Sequence, residues 1–468
     1  MALRPAEGRA ETDKETAAAA PETWRDCMRA GMELARTGEL HLAVSCFDAA
    51  RQTRSDHPQT LHTCASTLLR AGKTDAACRG FSQLIQLVPE LPSAWHGLGL
   101  ARHGRGEIDE ALGAFRQAAR LDPKAWRSWQ SIADITPDED ERILAIGHAA
   151  DSLEARAGDP RTKPDIILRV CNALADAHRF EDAVIFARNN LSRFPDQAFA
   201  HERIGHCLYA AGAFQPAFEQ LKRALACTAC PTAAPSTHNH GFDPGKATEA
   251  LNEVCTILSA AGLVPFLAAG TLLGFIRNGQ PLTHDRDIDI GVFADEAAPG
   301  IAAIVRQHPA LMLERRARPG ERYFALTHKG IGVDIFLYEK TARHALCGFS
   351  HHPGDIQWRF TDFRPIKSRF QGLTCHIPES PERYLTETYG PDWQIPDHGF
   401  ASAISSPALY KTDAFARACY SAARARRALK AGDRGKARAL INQSPIPVPL
   451  QPDMQDASTD EMNRQSRR

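Results

Sequence analysis

Three aspartates in two short apolar segments are the residues best placed to do chemistry. The run Asp285-Arg286-Asp287-Ile288-Asp289-Ile290-Gly291-Val292-Phe293 alternates acid and isoleucine from Asp287 to Ile290. Alternate side chains of a β-strand point to opposite faces, so Asp287 and Asp289 share one face and Ile288 and Ile290 the other. Two carboxylates side by side on such a strand repel each other and are costly to desolvate. A divalent cation between them removes both costs, and an all-oxygen ligand set suits Mg2+ or Mn2+ rather than zinc. An exposed acidic edge strand is the competing reading. The third acid, Asp334, sits among β-formers in Gly332-Val333-Asp334-Ile335-Phe336-Leu337. On a neighbouring strand it would complete the metal site or accept the proton of an attacking hydroxyl.

The elements that would position these acids begin upstream. Residues 264–269 are a short apolar run, read as a buried strand, and Gly270-Thr271 interrupts it. A helix-like apolar pattern restarts over 272–276. A strand, a turn and a helix N-terminus present backbone N–H groups to an anion, and glycine allows close approach. Taken alone, a Gly-Thr turn is usually just a turn. A helix is expected over 244–261, with Leu251, Val254, Cys255 and Leu258 apolar.

The first half of the chain is a repeat. Phe47, Phe81 and Phe115 recur every 34 residues, as do Ala43, Ala77 and Ala111, and Gly38, Gly72 and Gly106. Small residues let paired helices approach, large ones fill the gaps, and the glycine marks the turn between helices. The third unit, with Trp95, Leu98, Gly99, Ala111, Phe115, Ala118 and Pro123, resembles the tetratricopeptide family. That family's tyrosine position is occupied here by Leu34, Leu68 and Arg102. The stretch 136–164 is irregular, after which Ala183 and Ala217 resume the period. About six units are expected over residues 23–226. Such an array offers a groove for a protein partner or an acceptor, or serves as a spacer or dimerisation element.

Residues 230–241 carry no apolar period and read as a linker, in which His238, His240 and the Cys227/Cys230 pair are more simply solvated than metal-bound. Residues 415–439, rich in Arg, Lys and Ala, read as a helix with a solvated charged face, and 444–468 as disordered. Basic and acidic residues balance at 56 each, so no global field draws the chain to nucleic acid. No segment is long and apolar enough to span a bilayer, and no secretory leader is read at the N-terminus. Both points set a cytoplasmic expectation, as do the scattered cysteines.

The stretch Gly270-Thr271-Leu272-Leu273-Gly274-Phe275-Ile276-Arg277-Asn278-Gly279, followed by residues 285–290, resembles the LicD/fukutin family of nucleotidyltransferase-fold enzymes. Phe363-Arg364-Pro365-Ile366, Phe370-Gln371-Gly372, the run from Ile377 to Leu385 and Tyr389-Gly390-Pro391-Asp392-Trp393 match its downstream motifs. His284 and Arg286 depart from it, where the family often has Trp and a further Asp. The resemblance covers residues 244–396. It implies an α/β (α+β) nucleotidyltransferase-fold domain behind an all-α tetratricopeptide solenoid. The expected boundaries are a disordered 1–22, repeats over 23–228, a linker over 229–243, the LicD-like domain over 244–430 and a largely disordered 431–468.

It also implies an activity: transfer of a phospho-substituent, phosphocholine or phospho-alditol, from a CDP-activated donor to a hydroxyl of a glycan or envelope precursor. Asp287, Asp289 and Asp334 would be the metal and catalytic residues. Gly270, Thr271, Arg277 and Asp285 would contact substrate or phosphate. An interaction protein with an inactive domain, and a nucleotidyltransferase proper, are the competing functions.

Overall fold

The computed structural model describes residues 23–54, 56–229, 242–283, 285–294, 300–308, 310–370 and 372–449. The chain divides into two compact units, Met1–Asp122 and Pro123–Arg468.

The first unit is three antiparallel helical hairpins: α1 (Trp24–Thr37) with α2 (Leu40–Thr53), α3 (Pro58–Arg70) with α4 (Thr74–Leu87), and α5 (Pro92–His103) with α6 (Ile108–Leu121). Pro58 and Pro92 begin their helices where a missing N–H costs nothing. Gly38, Gly72 and Gly106 all turn with positive φ, which the 34-residue period anticipates. Phe47, Phe81 and Phe115 are fully buried. Gly99 is glycine because a Cβ there would stand 2.5 Å from the Phe115 ring.

The second unit opens with three more hairpins: α7 (Trp126–Ile135) and α8 (Glu139–Ala157), α9 (Pro164–Asp176) and α10 (Phe180–Asn189), α11 (Gln197–Ala210) and α12 (Phe214–Ala226). The irregular stretch is the long α8, whose start at Glu139 covers the place where a turn glycine would fall. In the next repeat that place belongs to His178, held at φ +58°. The repeat helices therefore do not end a domain. The compact unit continues through them into the rest of the chain, whereas the sequence reading divides it near 228–244.

The remainder is a mixed sheet with helices on it. In chain order these are α13 (Pro244–Ala260), β1 (Phe266–Leu267), α14 (Ala269–Asn278), β2 (Asp287–Phe293), α15 (Ile301–Arg306), β3 (Leu311–Leu313), β4 (Tyr323–His328), β5 (Ile331–Lys340), β6 (His344–Gly348), β7 (Gln357–Thr361), β8 (Pro365–Phe370), β9 (Leu373–Pro378), α16 (Pro381–Tyr389) and α17 (Ser402–Ser405). The strand order is β3-β4-β5-β2-β1-β9-β8, and β6 and β7 extend from β5. Pairs β2·β5 and β1·β9 are parallel and the rest antiparallel. Ile288 and Ile290 are fully buried in one core with Leu251, Val254 and Leu258 of α13. Burying two isoleucines contributes about 1.5–3 kcal/mol each and fixes the register that turns Asp287 and Asp289 the other way.

Two expectations for the C-terminal part are corrected. The charge run of helix α18 (Ala414–Lys430) is solvated only in part: Arg427 and Lys430 are exposed, but Arg426 is buried with Ala416, Ala418, Cys419, Ala422, Ala425 and Leu429. Residues 431–449 are not structureless, for α19 (Arg434–Asn442) packs Ala437, Leu440 and Ile441 against α18. Small alanines on one face let α18 lie close to α12, where Ala217, Phe218 and Leu221 meet Ala418, Cys419 and Ala422. Residues 1–22, 230–241 and 450–468, with their expected linker, histidines and tail, lie outside the described residues. Among the described residues no helix is long and apolar enough to cross a membrane.

Candidate active site

Parallel pairing brings the acids together. Asp289 pairs with Asp334 across the β2–β5 ladder, and Asp287 with Gly332. Laterally paired residues point to the same face, so Asp287, Asp289 and Asp334 form one acidic patch. These three, with Asp285, Gly270 and Arg277, line a single cavity of about 1080 Å³.

The turn into α14 is built around Asp289. Ala269 is held at φ +37°, a left-handed conformation unusual for a residue with a Cβ. That bend starts the helix so that Gly270 N–H donates to Asp289 Oδ2 at 2.9 Å. Thr271 is 1% exposed, and its hydroxyl oxygen accepts the Asp289 N–H at 2.7 Å. The helix N-terminus thus grips a carboxylate of the protein itself. Thr271, expected on phosphate, is instead buried behind the cavity wall and acts through Asp289. Gly270 does lie on the wall. A Cβ there would stand 3.0 Å from Asp285 Oδ2 and 3.1 Å from Asp289 Oδ2, so glycine leaves room for two carboxylates.

The cluster is electrostatically tense. Burial, and then the charge of Asp287, push Asp285 up to about 7. Burial and Asp287 do the same to Asp334, also to about 7, against the opposing hydrogen bond from Tyr323. Tyr323 Oη donates to Asp334 Oδ1 at 2.9 Å. Asp289 is pushed well above the carboxylate range by burial and then by Asp287, Asp285 and Asp334. Burial also raises Asp287, opposed by the charges of Arg424 and Arg286.

A divalent cation fits this donor set. All the candidate ligands are oxygens, their repulsion is what a cation relieves, and Asp285 Oδ2 is buried with no hydrogen-bond partner. Among the described residues no three metal-ligating side chains are gathered to hold an ion by themselves. Mg2+ commonly takes only one or two carboxylates and completes its shell with substrate phosphates and water. Asp287 and Asp289 are the pair that would serve.

Arg277 lies on the cavity wall with Nη2 3.3 Å from Ile395 O, and its Nε is buried without a partner. Tyr389 and Trp393 line the wall too, Trp393 being buried in the main core. Arg286 is exposed at the start of β2, and His284 lies outside the described residues. Sequence reasoning missed Tyr323, which holds Asp334, and Arg424, which reaches the wall from α18. Tyr323 lies on the strand next to Asp334 with no motif around it. Arg424 carries a faint signal: it lies one turn beyond Tyr420 on a helix of alternating arginine and alanine.

With that geometry in place, similarity to known proteins is informative. Residues 262–380 match the family described as LicD/FKTN/FKRP, nucleotidyltransferase domain, and residues 92–125 match the tetratricopeptide repeat. The chain is 26% identical over 156 residues to "Ribitol-5-phosphate transferase FKTN" of Mus musculus, covering 32% of this chain and 34% of that protein. It is 28% identical over 146 residues to "Protein CTR9 homolog" of Arabidopsis thaliana, covering 30% and 12%. The chain thus spans about a third of the length of the ribitol-5-phosphate transferase relative. A solved thermophilic tetratricopeptide protein of Thermus thermophilus aligns at 18% identity and a TM-score of 0.30, covering 40% of this chain and all of that one. This chain carries a LicD/fukutin-type nucleotidyltransferase domain, whose matched segment holds Asp285, Asp287, Asp289 and Asp334 of the cavity wall, together with tetratricopeptide repeats.

Proposed function

We propose that the cavity transfers a phospho-substituent, of the phospho-alditol or phosphocholine type, from a CDP-activated donor to a hydroxyl of a glycan or envelope precursor. The observation that carries this reading is the in-register pairing of Asp289 with Asp334, with Asp287 beside them on one cavity wall. The similarity to ribitol-5-phosphate transferases supports the phospho-alditol choice.

Each residue has a distinct task in this reading. Asp287 and Asp289 would hold Mg2+ or Mn2+, which supplies positive charge against the donor's diphosphate. Gly270 and Thr271 keep Asp289 in place from the start of α14. Arg277 and Asp285 would contact the donor from the cavity wall. The acceptor oxygen attacks the phosphorus bearing the substituent, the bond from that phosphorus to the bridging oxygen breaks, and CMP leaves. Asp334, oriented by Tyr323, takes the hydroxyl proton or adds a ligand to the ion. Phosphoryl transfer needs chiefly position and charge neutralisation, so this small set is sufficient. The repeats of the first unit would bind a protein partner or present the acceptor.

The test is product analysis with CDP-ribitol, CDP-glycerol and CDP-choline plus Mg2+ or Mn2+. Metal-dependent CMP release that falls about a thousandfold or more in Asp287→Asn/Asp289→Asn is the expected result. Pyrophosphate release from a nucleoside triphosphate would instead make the protein a nucleotidyltransferase. No turnover and no metal binding would leave an interaction protein.

A further inference from the structure

We propose that Arg424, on a helix outside the family-matched segment, is a donor-binding residue that grips the diphosphate opposite the carboxylates. This rests on the reading of the cavity as a CDP-donor site. Arg277 and Arg424 are the two arginines among the described residues of the cavity wall, which also carries six aspartates, Asp285, Asp287, Asp289, Asp334, Asp392 and Asp397. Among the described residues Arg424 makes no hydrogen bond or ion pair; its guanidinium lies 6.0 Å from the Tyr420 ring centre. A half-buried guanidinium that feels Asp287 but donates to no oxygen keeps its hydrogen-bonding capacity for a ligand. A planar fork of five donors matches phosphate oxygens, and a diphosphate held between carboxylate-bound cation and arginine has its charge met on both sides.

The helix carrying it is anchored as a positioning element would be. Arg426 Nη1 meets Glu202 Oε1 of α11 at 2.6 Å, both side chains largely shielded from solvent. Tyr420, one turn before Arg424, stacks on Phe349 at 5.4 Å with planes 13° apart, and meets Tyr209 of α11 edge-on at 5.5 Å. Phe349 itself lines the cavity. The repeat helices α11 and α12 therefore hold α18 from one side while the sheet holds it from the other. This gives the last repeats a task in substrate binding: they aim a cation into the site.

The experiment measures binding of CDP and of inorganic diphosphate to the full chain in Mn2+, with wild type, Arg424→Gln, Arg424→Lys and the exposed Lys430→Gln. The expected result is a loss of about 10- to 100-fold for both ligands in Arg424→Gln. Arg424→Lys should recover part of that loss, because it keeps the charge but not the fork. Mn2+ binding without anion and the thermal midpoint should stay at wild-type values, and Lys430→Gln should bind as wild type. Unchanged ligand binding in Arg424→Gln overturns the proposal and leaves the donor reading standing. Weaker Mn2+ binding or a lowered thermal midpoint alongside the loss makes Arg424 structural and also overturns it. Wild type that binds diphosphate but not CDP, with the loss in Arg424→Gln, supports the arginine and removes the CDP donor. Wild type that binds neither ligand overturns both.

Discussion

The helical repeats of the first unit and those of the second obey the same 34-residue rule but have different neighbours. In α1–α6 the buried positions are apolar and aromatic apart from Thr60 and Thr67, none of the described ones is charged, and the hairpins close on one another through Phe47, Phe81 and Leu98. In α7–α12 the same architecture buries charge and hydrogen bonds. Arg142 is 2% exposed and donates to the carbonyls of Glu314 and Arg315, while Arg315 pairs with Asp134 at 2.6 Å. Arg318 Nη2 donates to Asp176 O at 2.6 Å, Tyr209 donates to Asp355, and Glu202 meets Arg426. A repeat pattern therefore predicts helical hairpins but not their employment. The second set is built into the unit that carries the acidic cavity, and its polar core residues are the mark of that.

The contrast predicts unequal consequences of deletion. The chain shortened to Pro123–Arg468 should fold cooperatively and bind CDP within about twofold of the full chain. Removing residues 123–228 should abolish cooperative unfolding, because the alanine face of α18 loses α12. Equal tolerance of both deletions, read by calorimetry and CDP titration, would erase the distinction.

Point substitutions sharpen it. Glu202→Ala strands the buried Arg426 and should cost the second unit about 3–5 kcal/mol, with weakened CDP binding as α18 loosens. Phe81→Ala should cost the first unit about 3–5 kcal/mol and leave CDP binding unchanged. Denaturant unfolding followed alongside CDP affinity separates the two. Thr271→Val keeps the shape but leaves Asp289 N–H without its acceptor. It should cost about 1–3 kcal/mol and weaken Mn2+ binding.

The smallest effect is a pH dependence confined to the second unit. Asp285 and Asp334 titrate near 7 when folded and in the ordinary carboxylate range when unfolded. Between these values the folded chain holds more protons than the unfolded one, so stability is greatest below the unfolded value and falls as pH rises through about 7. Without metal, the thermal midpoint of the second unit should decline from pH 5 to pH 8. Asp285→Asn should flatten the decline, and the first unit should not share it.

How much of this is legible in the sequence differs by element. The turn glycines Gly38, Gly72 and Gly106 follow from spacing because local sterics dictate them. The shared face of Asp287 and Asp289 follows from strand alternation, and α13 over 244–260 from its apolar stripe. The pairing of Asp289 with Asp334 does not, since strand adjacency is a tertiary fact. The strand expected over 264–269 shrinks to Phe266–Leu267 because the bend at Ala269 ends it. The helix at 414–430 is recognisable, but its arginines look solvated until α12 and Phe349 show which face is covered. His178 in a glycine's place hides a repeat for the same reason: context there overrides local preference.

The most direct test of the acidic cavity is Mn2+ binding, followed by electron paramagnetic resonance with and without CDP, in wild type and in Asp287→Asn/Asp289→Asn. Binding that CDP strengthens in wild type, and that the double substitution abolishes, is what a two-carboxylate site completed by phosphate requires. Mn2+ that binds both proteins equally, or ignores CDP, would contradict it.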